Sequence, residues 1–401
     1  MKLIFCYWDN LIEPKLTQAF EDMGHNVLPF NREFNDKDYD TDYLTALITF
    51  VKEHPDISFV ISINYIPIIS RACDYLNIPY ISWLCDCPCY SLYSNTVPNK
   101  NNRIFFFDRM HAERFKNIYP HAHIYYLPAA SDIALLDTLT IPDEEYSLYD
   151  SDVSFVGSLY TEKGTHEQIS KTLPPYLMGY VDGIINAQLN VYGYNFMEDS
   201  LSDDFVKDFK KHINWQLPPD YLDDAKSVIA DYYFGYRSTM LDRIHTLRTV
   251  SEHFNTDLYT TSDTSMLPAI HSKGIADTKT MLPKIYHCSK INLEITSKTF
   301  KSGMTQRLFD ILAVGGFVIS NYQSEIPEYF TPGKDLVLYE SIPDLLDKID
   351  YYLAHEEERR QIAENGMKKA TKYHNYNVRI NQMFTMLNAN TIGPKTDIPP
   401  I

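Results

Sequence analysis

Residues 302–310 read SGMTQRLFD and bring together groups suited to holding an anion. Gly303, Met304 and Thr305 open a helix expected over 304–314, and the amides of a helix's first turn have no partner within it. Together with the helix dipole they make a site for phosphate. Arg307 and Asp310 are spaced to share one face of that helix. A guanidinium there would clamp a phosphate. A carboxylate one turn later could accept hydrogen bonds from two vicinal hydroxyls, as on a ribose. The same spacing also allows a plain Arg–Asp surface pair.

A second stretch, WLCDCPCY (83–90), sets Cys85, Cys87 and Cys89 at alternate positions around Asp86 and Pro88. In extended chain the three thiols would point to one side. A structural zinc site draws its ligands from separated pairs, whereas Cys6, Cys73 and Cys288 stand alone and His111, His121 and His123 lack ligand spacing. No C-x-x-C redox pair occurs. The thiols therefore read as bystanders, and no metal is expected. Asp86 is left as the residue of interest, just after the apolar run IPYISWL. Asp9 follows the first apolar run and Asp108 follows RIFFF, both in the same kind of position. A turn or helix-cap role is open to each of these carboxylates.

These residues need elements to hold them. Short apolar runs alternate with amphipathic segments through the first 130 residues: KLIFCYW, HNVLPF, ISFVISIN, PYISWL, RIFFFD and HIYYLP. Such alternation implies crossover connections and a parallel, doubly wound sheet. Residues 131–150 read as a linker. A second series opens with DVSFVGSLYTEKG (152–164) and resumes with DLYTT, KINLEI, GFVIS and DLVLY, separated by a mostly helical insertion over about 165–254. The predicted domains are 1–130 and 151–390, with the last helix, 376–388, free to pack back on the first domain and a frayed tail over 391–401. Two such halves predict a central cleft, with ligands beyond the carboxyl ends of the strands.

Composition narrows the function. The formal charge of −17 argues against broad binding of nucleic acid or anionic membranes. No apolar run is long enough to span a bilayer. MKLIFCYWDN is too short in its apolar part for a signal peptide and reads as a buried first strand, so a cytoplasmic location is expected. Six cysteines without a framework fit a reducing compartment.

From MLPKIYHCSKINLEI through RLFDILAVGGFVISN and IPEYFTPGKDLVLY to EERRQIAENGMKKATKYHNYNVR, the order of motifs resembles the donor domain of GT-B glycosyltransferases, in particular the CgeB-like (spore maturation type) enzymes. HPDISFVISINYIPIISRACDYLNIPYISWLCDCP resembles the amino-terminal domain fused to it. The resemblance covers nearly the whole chain, most specifically 286–340. It implies two Rossmann-like domains and transfer of a sugar from a nucleotide-diphosphate sugar such as a UDP-sugar to a carbohydrate, protein or small-molecule acceptor. Neither a cofactor nor a metal is implied. Asp310 matches the acidic position that holds the ribose, and Gly303, Met304, Thr305 and Arg307 fall where diphosphate and sugar are bound. Gly157 and Lys163 match the Gly and Lys of the loop that approaches the phosphates. Asn292 lies at a strand end, where a donor contact and a buried structural amide are both open. Asp86 is favoured as catalytic base because W-x-x-D-x-P belongs to the resembled first domain, with Asp9 and then Asp108 behind it. Many retaining families carry a glutamate where this chain has Ser302, so retention is not implied. A nucleotide-sugar epimerase of the same fold and a non-catalytic sugar-binding or spore-coat protein are the competing readings.

Overall fold

The computed structural model describes residues 1–137, 139–163 and 169–389, and the tail read over 391–401 lies outside them. Two compact units result. One holds Met1–Ala129, Gln216–Asp224 and the last helix, Tyr376–Ala389; the other holds Ala130–Trp215 and Ala225–Asn375. Part of the expected insertion, Gln216–Asp224, thus sorts with the first unit. The stretch read as a linker sorts with the second and carries two short helices, Ala134–Asp137 and Asp143–Tyr149.

The first unit is built on β1 (Lys2–Tyr7), β2 (Asn26–Asn31), β3 (Phe59–Ile63), β4 (Tyr80–Trp83), β5 (Asn102–Phe106) and β6 (Ile124–Tyr126). They form one parallel sheet in the order β2-β1-β3-β4-β5-β6. β3 and β4 are buried along their whole length, as a parallel sheet covered on both faces requires. The direction of winding reverses between β1 and β3, so the crevice beyond their carboxyl ends is where this architecture places ligands.

In the second unit the strands are β7 (Val153–Val156), β8 (Thr256–Tyr259), β9 (His271–Gly274), β10 (Ile291–Glu294), β11 (Val318–Asn321) and β12 (Val337–Tyr339). Their parallel order is β12-β11-β10-β7-β8-β9, and the winding reverses between β7 and β10. Val153, Phe155, Leu258, Leu293 and Phe317 meet in the core of this sheet. β9 was not anticipated: HSKG is polar and exposed at every position, which suits a sheet edge and leaves no alternation to read. Helices Pro175–Leu189, Asp203–Phe209 and Tyr236–His253, with a π-helical turn over Ile229–Gly235, pack Leu177, Phe205, Phe209 and Phe234 into a separate core. No helix among the described residues is long and apolar enough to cross a membrane.

Candidate functional site

The reversal between β7 and β10 is where two of the expected motifs meet. β7 runs out into Gly157, whose φ of +153° lies in a region that favours glycine. Helix Gln306–Ala313 brings Arg307 against it: a Cβ on Gly157 would stand 2.7 Å from Arg307 Nη2. A side chain at this position would force the guanidinium to shift. Across from them, Glu294 ends β10. Its carboxylate, on a residue 1% exposed, accepts from Arg307 Nη1 at 3.2 Å.

A second arginine completes the cluster. Arg243, on helix Tyr236–His253, donates to the carbonyls of Ser158 at 2.6 Å and Ile295 at 2.8 Å, tying the loop after β7 to the loop after β10. Both guanidiniums lie over the ring of Phe155, at 5.0 Å for Arg307 and 5.3 Å for Arg243. Tyr160 stacks beside Arg243, and Lys163 Nζ sits 4.2 Å from the centre of the Tyr160 ring. Burial, followed by the positive charge of Arg307, pulls Arg243 down to about 10. Burial works against the charge of Arg307 as well, but Glu294 together with the hydroxyls of Tyr286 and Tyr160 holds that guanidinium above its ordinary value. The buried Arg243 and the mostly buried Arg307 thus lie close together, with Glu294 and Asp242 acting on Arg243, and a bound phosphate would add negative charge beside them.

The helix starts later than expected. Thr305 is the cap, its Oγ1 accepting from Leu308 N–H at 3.1 Å, and the first helical residue is Gln306. The open amides of the first turn are therefore those of Gln306 and Arg307, and Gly303 and Met304 lie buried before the cap, Met304 with its side chain in the core. Arg307 and Asp310 do not act as a surface pair: Arg307 turns to Glu294, while Asp310, 6% exposed, accepts from Gln306 Nε2 at 2.9 Å. Of the two roles open to Asn292, its bonds fit the structural amide. Its Nδ2 donates to the carbonyls of Tyr286 and Phe317 and its Oδ1 accepts from Ser154, so the amide joins strands and leaves the site. Ser302 donates to the buried Glu325 at 2.5 Å, which puts a carboxylate next to that position. Glu294, Arg243 and Glu325 were missed in the sequence. A charge closing the apolar run INLE was a usable sign for Glu294. Arg243 gave none, because its partners are remote in the chain.

In the first unit, Asp9, Asn64 and Asp86 follow β1, β3 and β4. Asn64, itself at φ +58°, accepts on Oδ1 from the amides of Cys85 and Asp86 at 2.9 and 3.1 Å, while its Nδ2 donates to Asp86 Oδ2 at 2.6 Å. Asp86 is thereby fixed in direction while staying exposed. Asn10, next to the exposed Asp9, reaches Cys85 Sγ at 3.4 Å, so the loops carrying Asp9 and Asp86 adjoin. Asp108 is different. It is buried and caps helix Arg109–Ile118 by accepting from His111 N–H at 3.0 Å, a structural role. Among the described residues no group of three or more His, Cys, Asp or Glu side chains could hold a metal ion.

Residues 243–385 match a family model described as glycosyl transferase-like. No curated protein matches this sequence. Among solved structures, the sucrose-phosphate synthase of Thermosynechococcus elongatus aligns over 97% of this chain and 100% of its own, at TM-score 0.57 and 9% identity. HepE of Anabaena, in complex with UDP and glucose, aligns over 97% and 100%, at TM-score 0.55 and 11% identity. A UDP-forming α,α-trehalose-phosphate synthase from Burkholderia xenovorans aligns over 98% and 99%, at TM-score 0.55 and 11% identity. At such identities these structures speak to the fold, which is the two-sheet GT-B architecture. The chain therefore carries a glycosyl transferase-like domain over residues 243–385, within a GT-B fold.

Proposed function

We propose that the protein is a glycosyltransferase of the CgeB-like type that works in the cytoplasm without a metal. It moves a sugar from a nucleotide-diphosphate sugar to an acceptor hydroxyl on a surface glycan precursor, a protein or a small molecule. UDP is the nucleotide of choice, since HepE was solved with UDP-glucose and the trehalose-phosphate synthase is named as UDP-forming. The observation that carries the reading is the approach of Arg307 to Gly157 where the second sheet reverses its winding.

Cleaving the sugar–phosphate bond leaves charge on the departing diphosphate, and fixed donors aimed at that charge lower the barrier. Arg307, Lys163 and the amides of Gln306 and Arg307 are the donors assigned to it, with Arg243 bracing the two loops behind them. Asp310 is assigned to the ribose hydroxyls. Asp86, aimed by Asn64, is assigned as the base that takes the acceptor's proton, with Asp9 the second candidate.

The test is to incubate the purified chain with a panel of nucleotide-diphosphate sugars and measure release of nucleoside diphosphate with and without acceptor. Release that Arg307→Ala removes supports the assignment. A chain that neither turns over nor binds any nucleoside diphosphate rejects it.

A further inference from the structure

The three thiols of the loop after β4 are treated unequally by the fold. Burial pushes the thiol of Cys85 far up and that of Cys89 up as well, with the charge of Asp86 adding to both. Cys89 Sγ lies 3.3 Å from Ser91 Oγ, and Cys85 is engaged by Asn10. All three residues are partly exposed, and what sets Cys87 apart is its partner: its Sγ stands 3.0 Å from Nε2 of His111. His111 occupies the first turn of helix Arg109–Ile118, and the Asp108 cap fixes that turn through the His111 amide. A sulfur nucleophile within hydrogen-bond reach of an imidazole, on a turn held by a third group, is the arrangement that makes a thiol reactive.

We propose that Cys87 is a modification site, a thiol that His111 activates toward hydroperoxides and other soft electrophiles. With hydrogen peroxide, the thiol proton passes to His111 Nε2 and the thiolate attacks one peroxide oxygen. The S–O bond forms as the O–O bond breaks. The departing hydroxide takes the proton back from the imidazolium and leaves as water. Sulfur is oxidised by two electrons to the sulfenic acid and the peroxide is reduced, so no further reactant is needed. The proposal does not depend on the transfer reaction.

The full chain is treated briefly with iodoacetamide, and separately with hydrogen peroxide plus dimedone, and its six cysteines are followed by peptide mass mapping. Cys87 is expected to be labelled first, about tenfold faster than Cys85 or Cys89, the gain that an imidazole partner gives a thiol near neutral pH. His111→Gln should slow Cys87 about tenfold and leave the other two unchanged. Equal rates at the three positions, or a folded H111Q chain whose Cys87 reacts as before, overturns the proposal. Comparing the three thiols in the unaltered chain decides the question even where H111Q fails to fold.

Discussion

Burying Arg307 against Glu294 fixes one guanidinium beside a backbone that has no room for a Cβ. Removing one partner of a buried pair strands the other, so Glu294→Gln, which leaves two arginines facing each other, should cost about 3–5 kcal/mol in urea unfolding. Arg307→Ala deletes the donor assigned to the leaving diphosphate and should lower kcat by roughly 10²–10³-fold. Gly157→Ala must push Arg307 aside at a φ that alanine rarely adopts, and UDP affinity should fall about tenfold by calorimetry. Asp86→Asn should lower transfer by about 10²–10⁴-fold with UDP affinity unchanged; near-normal turnover would remove Asp86 as the base. At this scale the sequence showed Gly157, Arg307 and Asp86 through their positions after strands or at a helix start. It did not show that Asn292 is structural or that Arg243 belongs to the cluster, since both facts depend on neighbours far off in the chain.

Among the elements, Gln216–Asp224 is a segment held in its unit partly by charge. Asp220 Oδ2 accepts from Tyr39 OH at 2.7 Å and pairs with Arg71 at 3.0 Å, while Tyr221 OH donates to Asp38 and Leu222 N–H to the carbonyl of Tyr93. The Tyr39 hydroxyl first, then Arg71, holds the Asp220 carboxyl below its ordinary value. A carboxyl held low in the folded chain stabilises above its unfolded value and loses that contribution as pH falls. Amide exchange across 216–224, corrected for intrinsic rates, should therefore quicken below about pH 4. Burial lifts Asp38, which works in the opposite sense. Asp220→Asn at neutral pH isolates the effect and should reproduce the quickening there. Most strands were legible as apolar runs, but β9 was not, and Thr305 as cap moved the helix start past Gly303 and Met304.

For the molecule as a whole, a formal charge of −17 coexists with two guanidiniums gathered over the Phe155 ring. That contrast favours one small anion at one place over any extended anionic partner. UDP at a hundredfold excess over its Kd should stabilise the chain by about 2.7 kcal/mol, read as a rise in Tm. Arg307→Ala should abolish that rise.

The sequence by itself determined two doubly wound halves, because apolar runs broken by amphipathic segments at crossover spacing allow little else. It also placed a helix start near Thr305, with Arg307 and Asp310 on it, because cap, guanidinium and carboxylate are local to one helix. The tertiary structure alone decided which charges are buried together, since Arg243, Glu294 and Gly157 meet only when β7 and β10 pair. It likewise decided which of three neighbouring thiols faces an imidazole, because that choice rests on how a loop after one strand lies against the helix after the next.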